Sequence, residues 1–187
     1  MEKEERKIEF DRIYIAYFAK MKRFAKEYVV SDEDAENVVH DVFLEVWEKR
    51  EMLVFQINLV AYLFSSIKNK CIDCLRRRIL EQEAAARMQE EYAISLRMKL
   101  NSLDGFDQHI WNENNIETVL TKAIDSLPEK CREIFIKSKI EGRKQKEIAD
   151  ELNVSINTIE KQMSIAYRKL KEELKDYAPL FIFLLIL

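Results

Sequence analysis

Apolar residues recur at three- and four-residue spacing along most of the chain, the period of helices with one buried stripe. Phe10, Tyr14, Tyr17, Phe18, Met21, Phe24, Ala25 and Tyr28 set this rhythm and predict a first helix over residues 8–29. Ser31 or Asp32 then caps a second helix, with acids in its first turn and Ala35, Val38, Val39, Val42, Phe43, Val46 and Trp47 along its stripe. Residues 51–60 show no clear period and read as a loop or short turn. Residues 61–79 predict a third helix with Leu63, Ile67, Cys71, Cys74 and Leu75 inward. A polar helix runs on from Glu81, and the Asn- and Asp-rich stretch NSLDGFDQHIWNENN after it is the best linker in the chain. Helices follow over 116–126 and 129–140, the second opened by Leu127-Pro128 at its first turn. Two short helices, at 144–152 and 156–174, are joined by Asn153-Val154-Ser155, and Pro179 is expected to end the helical part.

Composition sharpens this into a fold class. Two Gly and two Pro in 187 residues leave too few turn formers for a sheet. The expectation is an all-α chain of two small helical domains joined by a linker, the C-terminal one a helix-turn-helix. The domains are placed at 1–80 and 116–178, with the linker at 81–115 and an apolar tail at 179–187. The net charge of −3 argues against a nucleic-acid partner until the charges are sorted by position. Asp32 to Glu51 carries eight acids against two basic residues, a net −6, whereas Lys68–Arg78 and Lys137–Lys171 each carry a net +4. One acidic and two basic blocks imply at least two kinds of partner surface.

The segment EGRKQKEIADELNVSINTIEKQMSIAYRKLK carries the strongest signal. Ile148, Ala149 and Leu152 are the inward positions of a first short helix, Asn153 suits a left-handed turn, Val154 is expected to plug the space between the helices, and Ser155 caps the second. Ile159, Met163, Ala166, Tyr167 and Leu170 form that helix's buried face. Asn157, Thr158, Lys161 and Gln162 remain outward near its start, where a recognition helix meets base edges in the major groove. Asn and Gln can pair with adenine and Lys with guanine. Arg143, Lys144, Lys146, Arg168 and Lys169 flank them as phosphate contacts.

Upstream, YLFSSIKNKCIDCLRRR puts Lys68, Asn69, Arg76 and Arg77 outside, next to the aromatics Phe55, Tyr62 and Phe64. Such a face suits stacking on unpaired bases and gripping their backbone. Together with the acidic stretch DAENVVHDVFLEVWEKR and the LPEKCREIF…RKLK block, these motifs resemble a bacterial extracytoplasmic-function sigma factor of the sigma-70 family. The resemblance covers residues 6–176 and includes the Asn69-x-x-x-Asp73-x-x-Arg76-Arg77 spacing.

The resemblance implies an alternative sigma factor that binds core RNA polymerase and promotes transcription initiation at promoter DNA, with no catalytic residue and no cofactor. Asn37, His40, Asp41, Leu44 and Glu48 would contact core polymerase, with His40 where the family commonly has Gln. The loop from Met52 to Asn58, with Phe55, would receive a flipped base of the minus-ten non-template strand, and Lys68, Asn69, Arg76 and Arg77 would line its path. Asp73 can pair with Arg77 and orient it, or be a plain intrahelical ion pair. Lys144, Lys146, Ser155, Asn157, Thr158, Lys161, Gln162 and Arg168 would read the minus-thirty-five duplex. An anti-sigma partner is implied by the family alone. The competing class is a conventional helix-turn-helix regulator acting without replacing sigma, which would bind DNA but not core enzyme.

Other signals are weaker. Cys71-x-x-Cys74 lacks the two further ligands of a structural zinc site, so core packing is the better reading and no metal is expected. Three cysteines and a charged start indicate a cytoplasmic protein. The apolar run at the end is far shorter than the about 20 residues that cross a bilayer, so no stable membrane insertion is expected. Docking on the C-terminal domain, or a disordered and aggregation-prone segment, is its first reading, and a contact with a regulator or a membrane surface its second.

Overall fold

The computed structural model describes residues 2–48, 57–84, 90–104 and 113–187. Those residues are helical with short turns between, in the order α1 (Glu2–Tyr28), α2 (Asp32–Glu48), α3 (Ile57–Ala84), α4 (Glu90–Asp104), α5 (Glu113–Asp125), α6 (Glu129–Phe135), a π-helical turn (Ile136–Ile140), α7 (Gln145–Glu151), α8 (Ile156–Glu173) and α9 (Ala178–Ile186). The all-α class follows directly from the helical spacing of the apolar residues.

Helix α3 is the axis of the fold, and α1, α2, α4 and α5 all pack against it. Ten consecutive residues, Leu59 to Lys68, are buried. A helix covered on every side has no polar face and so no amphipathic period. For that reason residues 57–60 belong to α3 and not to the loop expected over 51–60; residues 49–56, with Phe55, lie outside the described residues. The same burial corrects three side chains. Tyr62 is 1% exposed and Phe64 0%, so neither presents its ring to DNA, and Lys68 is only 5% exposed instead of pointing outward.

Antiparallel α1 and α2 are fastened at their junction. Ser31 Oγ accepts the Asp34 N–H at 2.9 Å, which identifies Ser31 as the α2 cap. Lys22 meets both Asp32 and Glu36 at 2.6 Å, and Lys26 meets Asp32 at 2.6 Å. The two ammonium groups hold the Asp32 carboxyl down to about 2. In the segment expected as a linker, α4 lies along α3 with Leu96 and Leu103 buried and Arg97 3.2 Å from Glu83.

The N- and C-terminal halves share one continuous buried cluster. Helix α5 packs on α3, and the buried Tyr17 hydroxyl of α1 donates to the Ile140 carbonyl at 2.6 Å. Gly142 closes the π turn with φ +68°, beside the Ala16 Cβ. Pro179 does not end the helical part: it sits in the first turn of α9, where its missing N–H costs nothing. Helix α9 lies chiefly on α1, and to a lesser extent on α8, so the tail docks but mainly on the other half of the chain from the one expected. Its Phe183 ring meets Phe24 at 5.2 Å and Phe64 at 5.3 Å between centroids. Burying Leu180, Phe183 and Leu184 contributes on the order of 1.5–3 kcal/mol per side chain.

Lys139, at the end of the π turn, donates to the Leu185 carbonyl of α9 at 3.1 Å and lies over the Tyr167 ring. Burial, with Lys20 and Arg23 nearby, pushes its ammonium down to about 8. A lysine with a depressed pKa destabilises the fold while charged, and the penalty lifts as pH rises from about 8 towards the ordinary value of 10.5. The expected outcome is that Lys139→Met raises stability in urea at pH 7 by about 1 kcal/mol, after allowance for solvent screening. That gain over wild type should shrink as pH approaches 10.5, tracked by urea unfolding across the pH series.

Candidate promoter and polymerase interfaces

The helix-turn-helix is built by local backbone chemistry. Asn153 takes φ +51°, the left-handed conformation its side chain tolerates. The Val154 N–H then reaches back to the Ala149 carbonyl at 3.0 Å and the Asn153 N–H to the Asp150 carbonyl at 3.4 Å, the paired bonds of a Schellman end to α7. Ser155 Oγ accepts the Thr158 N–H at 3.2 Å and starts α8. Ile148, Ala149, Ile159 and Met163 fill the space between the helices. Val154 is therefore not the plug: it is 38% exposed, because the turn is closed by its amide and the interior is already full. Leu152 and Tyr167 are half-buried at the rim.

Within this frame Asn157 and Lys161 are exposed on the first turns of α8, with Thr158 and Gln162 half-buried beside them. Thr158 shares its hydroxyl with Ser155 at 2.9 Å. Lys144 and Lys146 are exposed at the start of α7, Arg168 is exposed about three turns along α8 from Asn157, and Lys169 is half-buried. Arg143 is committed elsewhere: Glu151 holds its guanidinium and also takes Lys137 at 2.8 Å, which pins α7 to the π turn. Those two cations hold the Glu151 carboxyl below its ordinary range.

On α3, Asn69, Asp73, Arg76 and Arg77 are exposed, while Asn58 at the start of the helix is half-buried with its Oδ1 accepting the Leu59 N–H at 2.7 Å. Arg77 lies 3.9 Å from Glu81, one turn onward. Cys71 is buried and Cys74 half-buried, and burial raises both thiols above their ordinary range, as packing residues require. Among the described residues no cluster of three or more metal-ligating side chains occurs.

The acidic face of α2 exposes Asn37, His40, Asp41, Leu44 and Glu48, with Leu44 at 62%. A cleft of about 400 Å³ separates α2 from α3, lined by Asn37 and Asp41 on one side and Lys70, Asp73, Cys74 and Arg77 on the other. It brings the acidic and the basic faces to one edge of the molecule. Lys70, which the spacing argument passed over, bridges them at 2.9 Å from Glu45 and 3.9 Å from Asp41. A second omission is the aromatic wall behind His40. The Phe18 ring lies 5.1 Å from the imidazole and the Tyr14 hydroxyl 3.5 Å from its Nε2. Their spacing read as a buried stripe, yet both rings are only half-buried.

Two stretches of the chain, one carrying the basic α3 edge and one the C-terminal helix-turn-helix, match known families. Residues 13–79 match Sigma-70 region 2, and residues 118–170 match Sigma-70, region 4. The chain belongs to the sigma-70 family. Over 162 residues it is 27% identical to the ferric citrate uptake sigma factor FecI of Escherichia coli (strain K12), covering 84% of this chain and 86% of that protein. With both regions present, it is an alternative sigma factor of the extracytoplasmic-function type, acting in transcription initiation. Region 2 thus runs from Ile13 within α1 to Ile79 within α3, and region 4 from Thr118 within α5 to Leu170 within α8. Helix α9 lies beyond the matched residues. Among the described residues no helix is long and apolar enough to cross a membrane.

The cap and the turn set the angle of α8. Ser155→Ala is expected to cost about 1 kcal/mol in urea unfolding. Asn153→Gly should be nearly neutral because glycine also accepts the left-handed backbone, whereas Asn153→Val should destabilise.

Proposed function

We propose that the exposed faces of α2, α3 and α8 divide the sigma factor's work into three contacts. Asn37, His40, Asp41, Leu44 and Glu48 bind core RNA polymerase. Their support is an exposed leucine set among acids, a mixed apolar and electrostatic contact surface. Asn69, Arg76 and Arg77 grip the minus-ten non-template strand, with Asn58 at the start of α3 and Phe55 in the segment before it. Lys144, Lys146, Ser155, Asn157, Thr158, Lys161, Gln162 and Arg168 dock the minus-thirty-five duplex, phosphates holding register and α8 reading bases. The single observation that carries this division is the exposure of Asn157 and Lys161 on the first turns of a helix whose other side is packed.

The domains of this reading are residues 1–80 and 116–178, with 81–115 as the connection between them. The protein works by binding, without catalysis or cofactor. Binding unpaired bases more tightly than paired ones favours the open promoter, because a ligand shifts an equilibrium by its differential affinity. Core polymerase and promoter DNA are its partners, an anti-sigma factor its regulator, and the cytoplasm its site of action.

The test is transcription in a purified system, with core polymerase and promoters mapped from start sites after overexpression. Lys161→Ala and Asn157→Ala are each expected to weaken promoter binding by about 1–3 kcal/mol and relax specificity at one base position. Leu44→Asp should leave affinity for the isolated minus-thirty-five duplex unchanged and lower affinity for core enzyme at least tenfold, about 1.4 kcal/mol. A chain that neither binds core polymerase nor confers promoter specificity would overturn the assignment of all three faces.

A further inference from the structure

The names of the two promoter elements place them about 25 base pairs apart, which is about 85 Å of duplex at 3.4 Å per pair. A compact chain of this length is only about 40 Å across. Its longest helix, the 28 residues of α3, extends about 42 Å. The described structure joins regions 2 and 4 through one buried cluster, so it cannot lie on both elements at once.

Helix α5 of region 4 packs on α3 of region 2, and α9 adds a second junction beside it. Helix α9 continues from region 4 through a short turn after α8, yet its apolar side chains seat in region 2. Phe183 sits against Phe24 of α1 and Phe64 of α3. Leu180 and Leu184 are buried with it, while Leu185 faces outward at 41% exposed. Lys139 of region 4 ties the end of α9 down through the Leu185 carbonyl. The same ammonium is crowded by Lys20 and Arg23 of α1, so apolar attraction and cation repulsion oppose each other across the one seam.

We propose that α9 is an intramolecular clasp that holds regions 2 and 4 in a closed, promoter-incompetent state, and that engaging both promoter elements requires Phe183 to leave its seat on Phe24 and Phe64. The proposal rests on the sigma-factor reading. Its mechanism is a population shift: the apparent affinity for a two-element promoter is the affinity of the open form scaled by the fraction of chain that is open. The minus-thirty-five duplex alone needs no opening, because Asn157 and Lys161 are exposed in the closed form.

The test compares Phe183→Asp, a chain ending at Tyr177, and the control Leu185→Asp with the wild type. Two readouts are needed: the sigma concentration giving half-maximal open complex with core polymerase on a two-element promoter, and the affinity of the free chain for the minus-thirty-five duplex. The first two variants should lower the half-maximal concentration by about fivefold or more, with unchanged duplex affinity, and Leu185→Asp should match wild type. An unchanged or raised half-maximal concentration overturns the clasp. Loss of cooperative helical unfolding in both unclasped variants also overturns it, because α9 would then be an indispensable part of the core. The wild type separates the two readings: if it forms no open complex, the sigma assignment fails, whereas unaltered variants beside an active wild type sink the clasp alone.

Discussion

The structure depends on the enclosure of α3 from Leu59 to Lys68. A ten-residue stretch buried on every side must be covered by several helices at once, and α1, α2, α4 and α5 supply that cover. This fixes where the exposed part of α3 can be. Beyond Lys68 the helix emerges, and Asn69, Asp73, Arg76 and Arg77 appear on the surface beside the acidic face of α2. Lys70 bridges the two faces through Glu45 and Asp41, while Glu33 and Glu48 of α2 stay exposed.

The same enclosure draws the C-terminal half inward. Helix α5 covers one side of α3, and α9 reaches Phe64 on it through Phe183. Polar contacts along the seam include the Tyr17 hydroxyl on the Ile140 carbonyl and the Lys139 ammonium on the Leu185 carbonyl. The helix-turn-helix of region 4 is closed by bonds that do not cross that seam. Its turn is closed by the Ala149 carbonyl and its cap by Ser155, bonds made within the hairpin. A module held together locally and docked through a mainly apolar contact can undock without losing its recognition helix.

How much of this could be read from the chain follows from how local each cause is. The left-handed Asn153, the Ser155 cap and the stripe from Ile159 to Leu170 act within a few residues of each other, so the helix-turn-helix was legible. The amphipathic α2 was legible too, and its exposed Asn37, His40, Asp41, Leu44 and Glu48 stand where the spacing put them. The start of α3 was hidden because enclosure removes the polar phase on which periodicity depends. Lys68, Tyr62 and Phe64 are hidden for the same reason: their residue types suggest a nucleic-acid face that the packing covers. Helix α9 has no polar side at all, and Pro179 looked like a stop although it begins the helix. Its seat on Phe24 and Phe64 is a contact between distant parts of the chain, for which no local pattern exists.

On the proposed reading, one sigma factor holds its two promoter-contacting faces in a single closed body and separates them on the promoter. The most direct measurement is the distance between donor and acceptor dyes at Glu83 on α3 and Glu172 on α8, both exposed and away from the proposed contacts. In the free chain a single short distance is expected, within a body about 40 Å across. With core polymerase and a two-element promoter that distance should lengthen substantially as the surfaces move towards elements about 85 Å apart. A distance that is already long in the free chain, or one that does not change in an active promoter complex, would contradict the account.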